Sequence, residues 1–178
     1  MTHDHRGEAS SNAFHISLLV ISDRAHAGLR PDLCHDAIAD FLQARGHRLS
    51  SMKLVPDQVD LIQKTLLEWA AETRPMLALT AGGTGVSPRD VTPEATRPIL
   101  EREIPGIPEA MRAASMKITP YAALSRGYAG FIGSMLVVNL PGSPKAAVEN
   151  LTAVFDALEH AMVKAMGDMS DCDPKPAV

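Results

Sequence analysis

The chain has 178 residues, enough for one domain around a single sizeable core. Hydrophobic residues make up 46% and charged residues 21%, the balance of an ordinary globular protein. A net charge of −4 and an aromatic share of 4% argue against a broad nucleic-acid or membrane footprint and against base-stacking platforms, while a local anion site stays open. Residues 1–13 are polar and read as a disordered tail; His3 and His5 lie close together, and a metal site there is the alternative that the tail reading outweighs. The domain is expected over 14–168, and 169–178 read as a second tail.

Within the domain the pattern alternates. HISLLVIS (15–22) is a short apolar, β-branched run and reads as a strand. Helix-spaced Leu33, Ala37, Ile38, Phe41 and Leu42 follow, ending near Gly46. LSSMKLV (49–55) is a half-polar strand candidate. Asp57 is favoured as the N-cap of a helix with Val59, Ile62, Leu66 and Trp69 on one face. MLALT (76–80) is a buried strand, and Thr92-Pro93 marks a helix start with proline at a favoured position. A short helix is expected from Pro108 to Lys117, then a hairpin or edge strand at 127–134 and a buried strand at 135–140. Residues 144–166 form a long helix with Val148, Leu151, Phe155, Leu158 and Met162 on one stripe.

This succession predicts an α/β fold: a single-domain, doubly wound, mostly parallel sheet flanked by helices. Ligands of such sheets bind at the carboxyl edge of the strands. The loops expected there are 22–28, 56–58, 81–93 and 141–145, the most chemically loaded stretches of the chain.

AGGTGVSPRDVTP (81–93) links a buried strand to a helix. Gly82, Gly83 and Gly85 allow a tight turn and close approach to a ligand, while Thr84 and Ser87 offer hydroxyls. The loop N–H groups can form an anion nest beside a helix start, and Arg89 adds a cation. A plain tight turn is the alternative. Neither GxxxxGK[ST] nor GxGxxG is present. Asp90 is a candidate Mg²⁺ ligand or a mere partner of the helix dipole, and Asp57 poses the same choice between chemistry and capping. Asp23 and Arg24 read most simply as a surface ion pair. In PGSPK (141–145), Ser143 caps the long helix, and Lys145 in its first turn opposes the dipole unless a phosphate lies nearby.

Other chemistries find little support. There is no GxSxG elbow and no HExxH. Cys34 and Cys172 are far apart without ligand spacing, so a reducing cytoplasm is the expected compartment. Cys34 and His35 diverge on a helix, and His15, His26, His47 and His160 lack ligand spacing. The nine methionines read as packing. No apolar run could span a bilayer, and the polar start is no signal peptide.

LTAGGTGVSPRDVTPEAT (79–96) closely resembles the signature of the MogA-type molybdopterin-binding family. ISDRAHAG (21–28) with Asp32, VPD (55–57), EIPGIPEAMR (103–112), LSR (124–126) and NLPGSPKA (139–146) resemble its further motifs in family order. The resemblance implies a homotrimer that transfers AMP from Mg-ATP to the terminal phosphate of molybdopterin, releases pyrophosphate and hands the product to a separate molybdenum insertase. It places the functional acidic positions, also the Mg²⁺ sites, on Asp57 and Asp90, and the binding loop on Gly82, Gly83, Thr84 and Gly85. Nucleotide- or pterin-facing positions fall on Ser22, Asp23, Arg24, Arg89, Ser125, Asn139, Pro141, Gly142, Ser143 and Lys145. One departure is Ala81, where many relatives carry threonine. The rivals are a non-catalytic pterin carrier of the same fold and a nucleotide hydrolase.

Overall fold

Six of the seven residues of β1 (His15–Ile21) are buried, which requires cover on both faces of the strand. The computed structural model describes residues 14–72 and 76–167. The remaining elements are α1 (Asp23–His26), α2 (Cys34–Gln43), β2 (Leu49–Val55), α3 (Val59–Ala70), β3 (Met76–Ala81), α4 (Thr92–Thr96), β4 (Arg102–Glu103), α5 (Gly106–Met116), β5 (Ala129–Ile132), β6 (Met135–Leu140) and α6 (Pro144–Ala165). Short 3₁₀ turns at Arg97–Ile99 and Pro120–Leu124 complete them. The expectations for residues 1–13 and 169–178, including His3, His5 and Cys172, fall outside the described residues.

The six strands form one sheet in the order β2-β1-β3-β6-β5-β4. The first four are mutually parallel, and β5 and β4 are antiparallel to their neighbours. The expected doubly wound, mostly parallel sheet is thus what forms. Strand alternation divides the core. Ile16, Leu18, Val20, Leu77 and Leu79 face α2 and α6 with Ile38, Leu42, Leu151, Phe155 and Leu158. Leu19, Ile21 and Ala78 face the other side with Ile62, Leu66 and Trp69 of α3. Each fully buried leucine or isoleucine contributes about 1.5–3 kcal/mol, so the two layers fix the sheet firmly beneath its loops.

Three local expectations are corrected, and a fourth is resolved between its alternatives. Asp57 does not cap α3: Gln58 holds the N-cap position without a side-chain bond, and the Asp57 carboxylate reaches the backbone N–H of Asp23 instead. The loop after β1 contains the one-turn α1, capped by Ser22 Oγ, which accepts from Ala25 N–H at 3.2 Å. The helix expected from Pro108 starts earlier, at Gly106. Residues 127–134 supply β5, which is a hairpin arm of β6 rather than an edge, because two residues of β4 pair outside it.

Candidate functional site

Because the chain leaves β1 toward β2 and leaves β3 toward β6, the loops after β1 and β3 diverge. That divergence opens a crevice at the strand carboxyl ends, the switch point where ligands of such sheets bind. The crevice holds about 750 Å³ and is lined by Ser22–Ala25, Arg30–Cys34, Asp57, Ala81–Gly85, Arg89, Asp90, Pro141, Gly142 and Pro144.

Reciprocal bonds tie two of its walls together. Asp23 N–H donates to Asp57 Oδ2 at 2.8 Å, and Asp57 N–H donates to Asp23 Oδ1 at 3.0 Å. Arg89 Nε donates to Asp23 Oδ2 at 2.9 Å, and its Nη2 donates to the Asp57 carbonyl at 3.2 Å. Asp23 therefore pairs with Arg89 from the next loop, not with its neighbour Arg24. The Arg89 hydrogen bond, helped by the Asp57 N–H, holds the Asp23 carboxyl below the usual carboxylate range. Asp57 moves the opposite way: burial pushes it up, opposed by the Asp23 N–H, and the charges of Asp23 and Asp90 push it further. A cation between Asp57 and Asp90 would relieve that strain in the charge arrangement.

The glycine loop has no room for side chains. A Cβ on Gly82 would sit 2.1 Å from the Ile21 carbonyl oxygen, and one on Gly83 2.5 Å from Thr92 Oγ1. Both residues have positive φ, 118° and 61°, where glycine is favoured. Thr92 ties the loop shut: its Oγ1 donates to the Gly82 carbonyl at 2.8 Å and its N–H to the Gly83 carbonyl at 3.0 Å. Ser87 N–H donates to Asp90 Oδ2 at 2.8 Å, which orients that carboxylate. Among the described residues, the N–H groups of Gly83, Thr84, Gly85 and Val86 make no hydrogen bond. Unpaired backbone donors in succession are the makings of an anion nest.

The structure brings Ser22, Asp23, Arg24, Asp57, Gly82, Gly83, Thr84, Gly85, Arg89, Asp90, Pro141 and Gly142 to one crevice. The other positions lie elsewhere. Asn139 is buried: its Oδ1 accepts from Tyr128 N–H, and its Nδ2 donates to Thr80 and Thr96. It braces β6 against β3 and α4 rather than facing the crevice. Ser125 lines a neighbouring groove of about 630 Å³ with Arg97, Arg112 and Arg126. It also lines a third cavity that borders Thr84, Gly85 and Pro141. Ser143 caps α6, as expected, and Lys145 is exposed with Glu149 3.8 Å away.

Several contributors escaped the sequence reading. Arg30 Nη2 donates to Ser22 Oγ at 3.1 Å. Asp32 carries the one buried side-chain oxygen without a partner among the described residues: Oδ1 accepts from Cys34 N–H, while Oδ2 has none. Cys34 Sγ donates to the Gly142 carbonyl at 3.4 Å, and burial pushes its thiol up, so it acts as packing and not as a nucleophile. Asp32 was marked in advance only by the family resemblance, which names it beside ISDRAHAG, and Arg30, just beyond the loop 22–28, had no signal in the sequence.

No group of three or more His, Cys, Asp or Glu side chains converges as a metal site among the described residues. Two carboxylates without further protein ligands match the way Mg²⁺ binds beside a polyphosphate, keeping several waters. The result is a doubly wound α/β protein whose switch-point crevice sets a glycine loop against Asp23, Asp32, Asp57 and Asp90.

Comparison with known proteins agrees. The family described as a probable molybdopterin binding domain matches residues 17–160, and the chain belongs to that family. A molybdopterin adenylyltransferase of Helicobacter pylori is 39% identical over 165 residues, covering 90% of this chain and 93% of its own. The crystal structure of the molybdopterin biosynthesis enzyme MoaB from Thermus thermophilus superposes with a TM-score of 0.81 at 47% identity, covering 87% of this chain and 98% of its own. The molybdenum cofactor synthesis protein cinnamon of Drosophila melanogaster is 48% identical over 115 residues, 65% of this chain and 19% of its own length.

Proposed function

We infer that the chain is an adenylyltransferase of molybdenum cofactor biosynthesis, transferring AMP from ATP to the terminal phosphate of molybdopterin. The observation that carries the chemistry is the run of unbonded N–H groups of Gly83, Thr84 and Gly85, in the same crevice as Asp57 and Asp90. A phosphate oxygen of molybdopterin attacks the α-phosphorus of ATP. A new P–O bond forms, the bond from the α-phosphorus to the bridging oxygen breaks, and pyrophosphate leaves. The attacking group is already an anion, so no protein nucleophile is required.

The protein's work is positioning and charge neutralisation. Loop N–H groups bind phosphate oxygens, and Arg89, held by Asp23, contributes a cation at the rim. Asp57 and Asp90 would hold Mg²⁺ directly or through water, and the bound ion would neutralise phosphate charge. Asp32 Oδ2 is available for a hydroxyl or amino group of either substrate.

A non-catalytic carrier is the disfavoured alternative, since binding alone gives no reason for two charged carboxylates beside an anion nest. A hydrolase would split ATP with water. Pyrophosphate release assayed with and without molybdopterin separates these readings: adenylyl transfer requires the pterin, a hydrolase does not, and a carrier releases none. The proposal extends to a homotrimer in the cytoplasm that passes its product to a separate insertase. No helix among the described residues is long and apolar enough to cross a membrane. Exposed Met116, Ile118, Tyr121 and Leu124 at the end of α5 and the following turn offer apolar surface for assembly.

A further inference from the structure

We propose that Arg126 is a positioning residue that shapes the anion loop from outside the crevice, with Glu94 as its anchor. What the loop binds rests on the adenylyl-transfer reading above; the clamp itself rests on geometry. Arg126 N–H donates to the Thr84 carbonyl at 2.9 Å. Its Nε donates to the Gly85 carbonyl at 2.6 Å, and its Nη2 to the Asp90 carbonyl at 2.7 Å. Its Nη1 pairs with the Glu94 carboxylate of α4. One residue thus grips the start of the loop, its end and the helix that follows.

The consequence follows from the peptide group. In a trans peptide the N–H points opposite to the preceding C=O. Drawing the Thr84 and Gly85 carbonyls toward Arg126 therefore turns the N–H groups of Gly85 and Val86 away from it. Both are unbonded loop donors; Gly85 lines the crevice, while Val86 lines a groove shared with Arg126. Arg126 lines the neighbouring groove and not the crevice. Holding the Asp90 carbonyl fixes the backbone from which that carboxylate projects. A planar guanidinium can meet separate acceptors in fixed directions, whereas a lysine ammonium is a point charge on a flexible stem. The Arg126–Glu94 pair is half exposed, so as an ion pair it contributes little to stability. Loop shape and folding can then be separated by experiment.

The test compares the wild type, Arg126→Lys and Glu94→Gln. Binding of α,β-methylene ATP, which cannot transfer AMP, is measured by calorimetry, alongside molybdopterin affinity and melting temperature. Arg126→Lys is expected to bind the nucleotide at least ~10-fold more weakly, about 1.4 kcal/mol. With the loop N–H groups on the phosphates of the nucleotide, as the proposal has it, molybdopterin affinity should stay within about twofold of wild type. Glu94→Gln keeps the three carbonyl bonds and is expected to lose less than ~3-fold. Nucleotide affinity unchanged in Arg126→Lys overturns the proposal. So does an equal loss of both ligands, or a larger loss in Glu94→Gln than in Arg126→Lys. If Arg126→Lys does not fold, the clamp is a folding element and the proposal is likewise overturned. Failure of the wild type to adenylylate molybdopterin would instead count against the reaction while leaving the clamp measurement readable.

Discussion

Asp57 carries the sharpest contrast between a structural and a chemical role at the scale of single residues. Its spacing favours a helix cap, yet the structure takes its carboxylate away from α3 and aims it at Asp23 and the crevice. Asp→Asn keeps size and hydrogen bonding but removes the charge that Mg²⁺ needs. Asp57→Asn and Asp90→Asn are each expected to fold and bind molybdopterin, yet transfer AMP at least ~100-fold more slowly, a barrier increase of about 2.7 kcal/mol. Single-turnover assays with melting curves check this; near-normal turnover in a variant of wild-type stability would assign that residue a structural role. The pH dependence follows from the opposite shifts of the two neighbours. Burial raises Asp57, so on acidification it takes up its proton at a higher pH than an ordinary aspartate. Asp23, lowered by Arg89, is still charged at that point. Protonated Asp57 cannot hold a cation, so the rate should fall on the acid side above the ordinary aspartate range, and excess Mg²⁺ should move that limb to lower pH. A rate–pH profile at two Mg²⁺ concentrations tests it; an acid limb indifferent to Mg²⁺ counts against Asp57 as a ligand. The stability contribution has the same sign logic. Raised Asp57 favours the fold at low pH and loses that contribution as pH rises through its folded-state value. Lowered Asp23 favours the fold above the unfolded aspartate value and loses it as pH falls through its folded-state value.

Among the elements, the glycine loop between β3 and α4 is where local chemistry is most demanding. Gly28 and Gly82 both have positive φ, but a Cβ on Gly28 meets nothing within 4 Å, while one on Gly82 meets the Ile21 carbonyl at 2.1 Å. Gly28→Ala is expected to cost only the left-handed backbone penalty, about 1–2 kcal/mol. Gly82→Ala must also move β1 or the loop, so its loss should be clearly larger and should include nucleotide binding. Denaturant titration of both variants decides this, and equal losses would contradict the close approach. The same contrast shows what was legible in the sequence. Parallel strands read clearly because β1, β3 and β6 are largely apolar runs, and of the long α6 stripe Leu151, Phe155, Leu158 and Met162 are buried while Val148 is partly buried. The loops of the crevice were legible from their glycines and from strand direction. Side-chain partners were not: the Asp23–Arg89 pair spans 66 residues of sequence, and the Arg126 bonds to Gly85 and Asp90 span 41 and 36. Asn139 was given as a nucleotide- or pterin-facing position by the family resemblance alone. Its register instead places its amide between Thr80 and Thr96. Spacing along a chain carries no signal for such contacts.

For the whole molecule, the sheet order puts every loaded loop at one edge, and β2, half exposed, borders the crevice wall that carries Asp57. The exposed apolar residues Met116 and Ile118 follow at the end of α5, and Tyr121 and Leu124 line the cavity that borders Thr84, Gly85 and Pro141. A homotrimer is expected from family membership, and light scattering at micromolar concentration checks it; a stable monomer would refute it. The reaction is tested most directly by mass spectrometry of the pterin after incubation of the purified protein with Mg-ATP and molybdopterin. The expected result is a pterin carrying one added AMP, with one pyrophosphate released per adduct. Unmodified pterin beside intact ATP, or ATP converted to ADP and phosphate, would contradict adenylyl transfer.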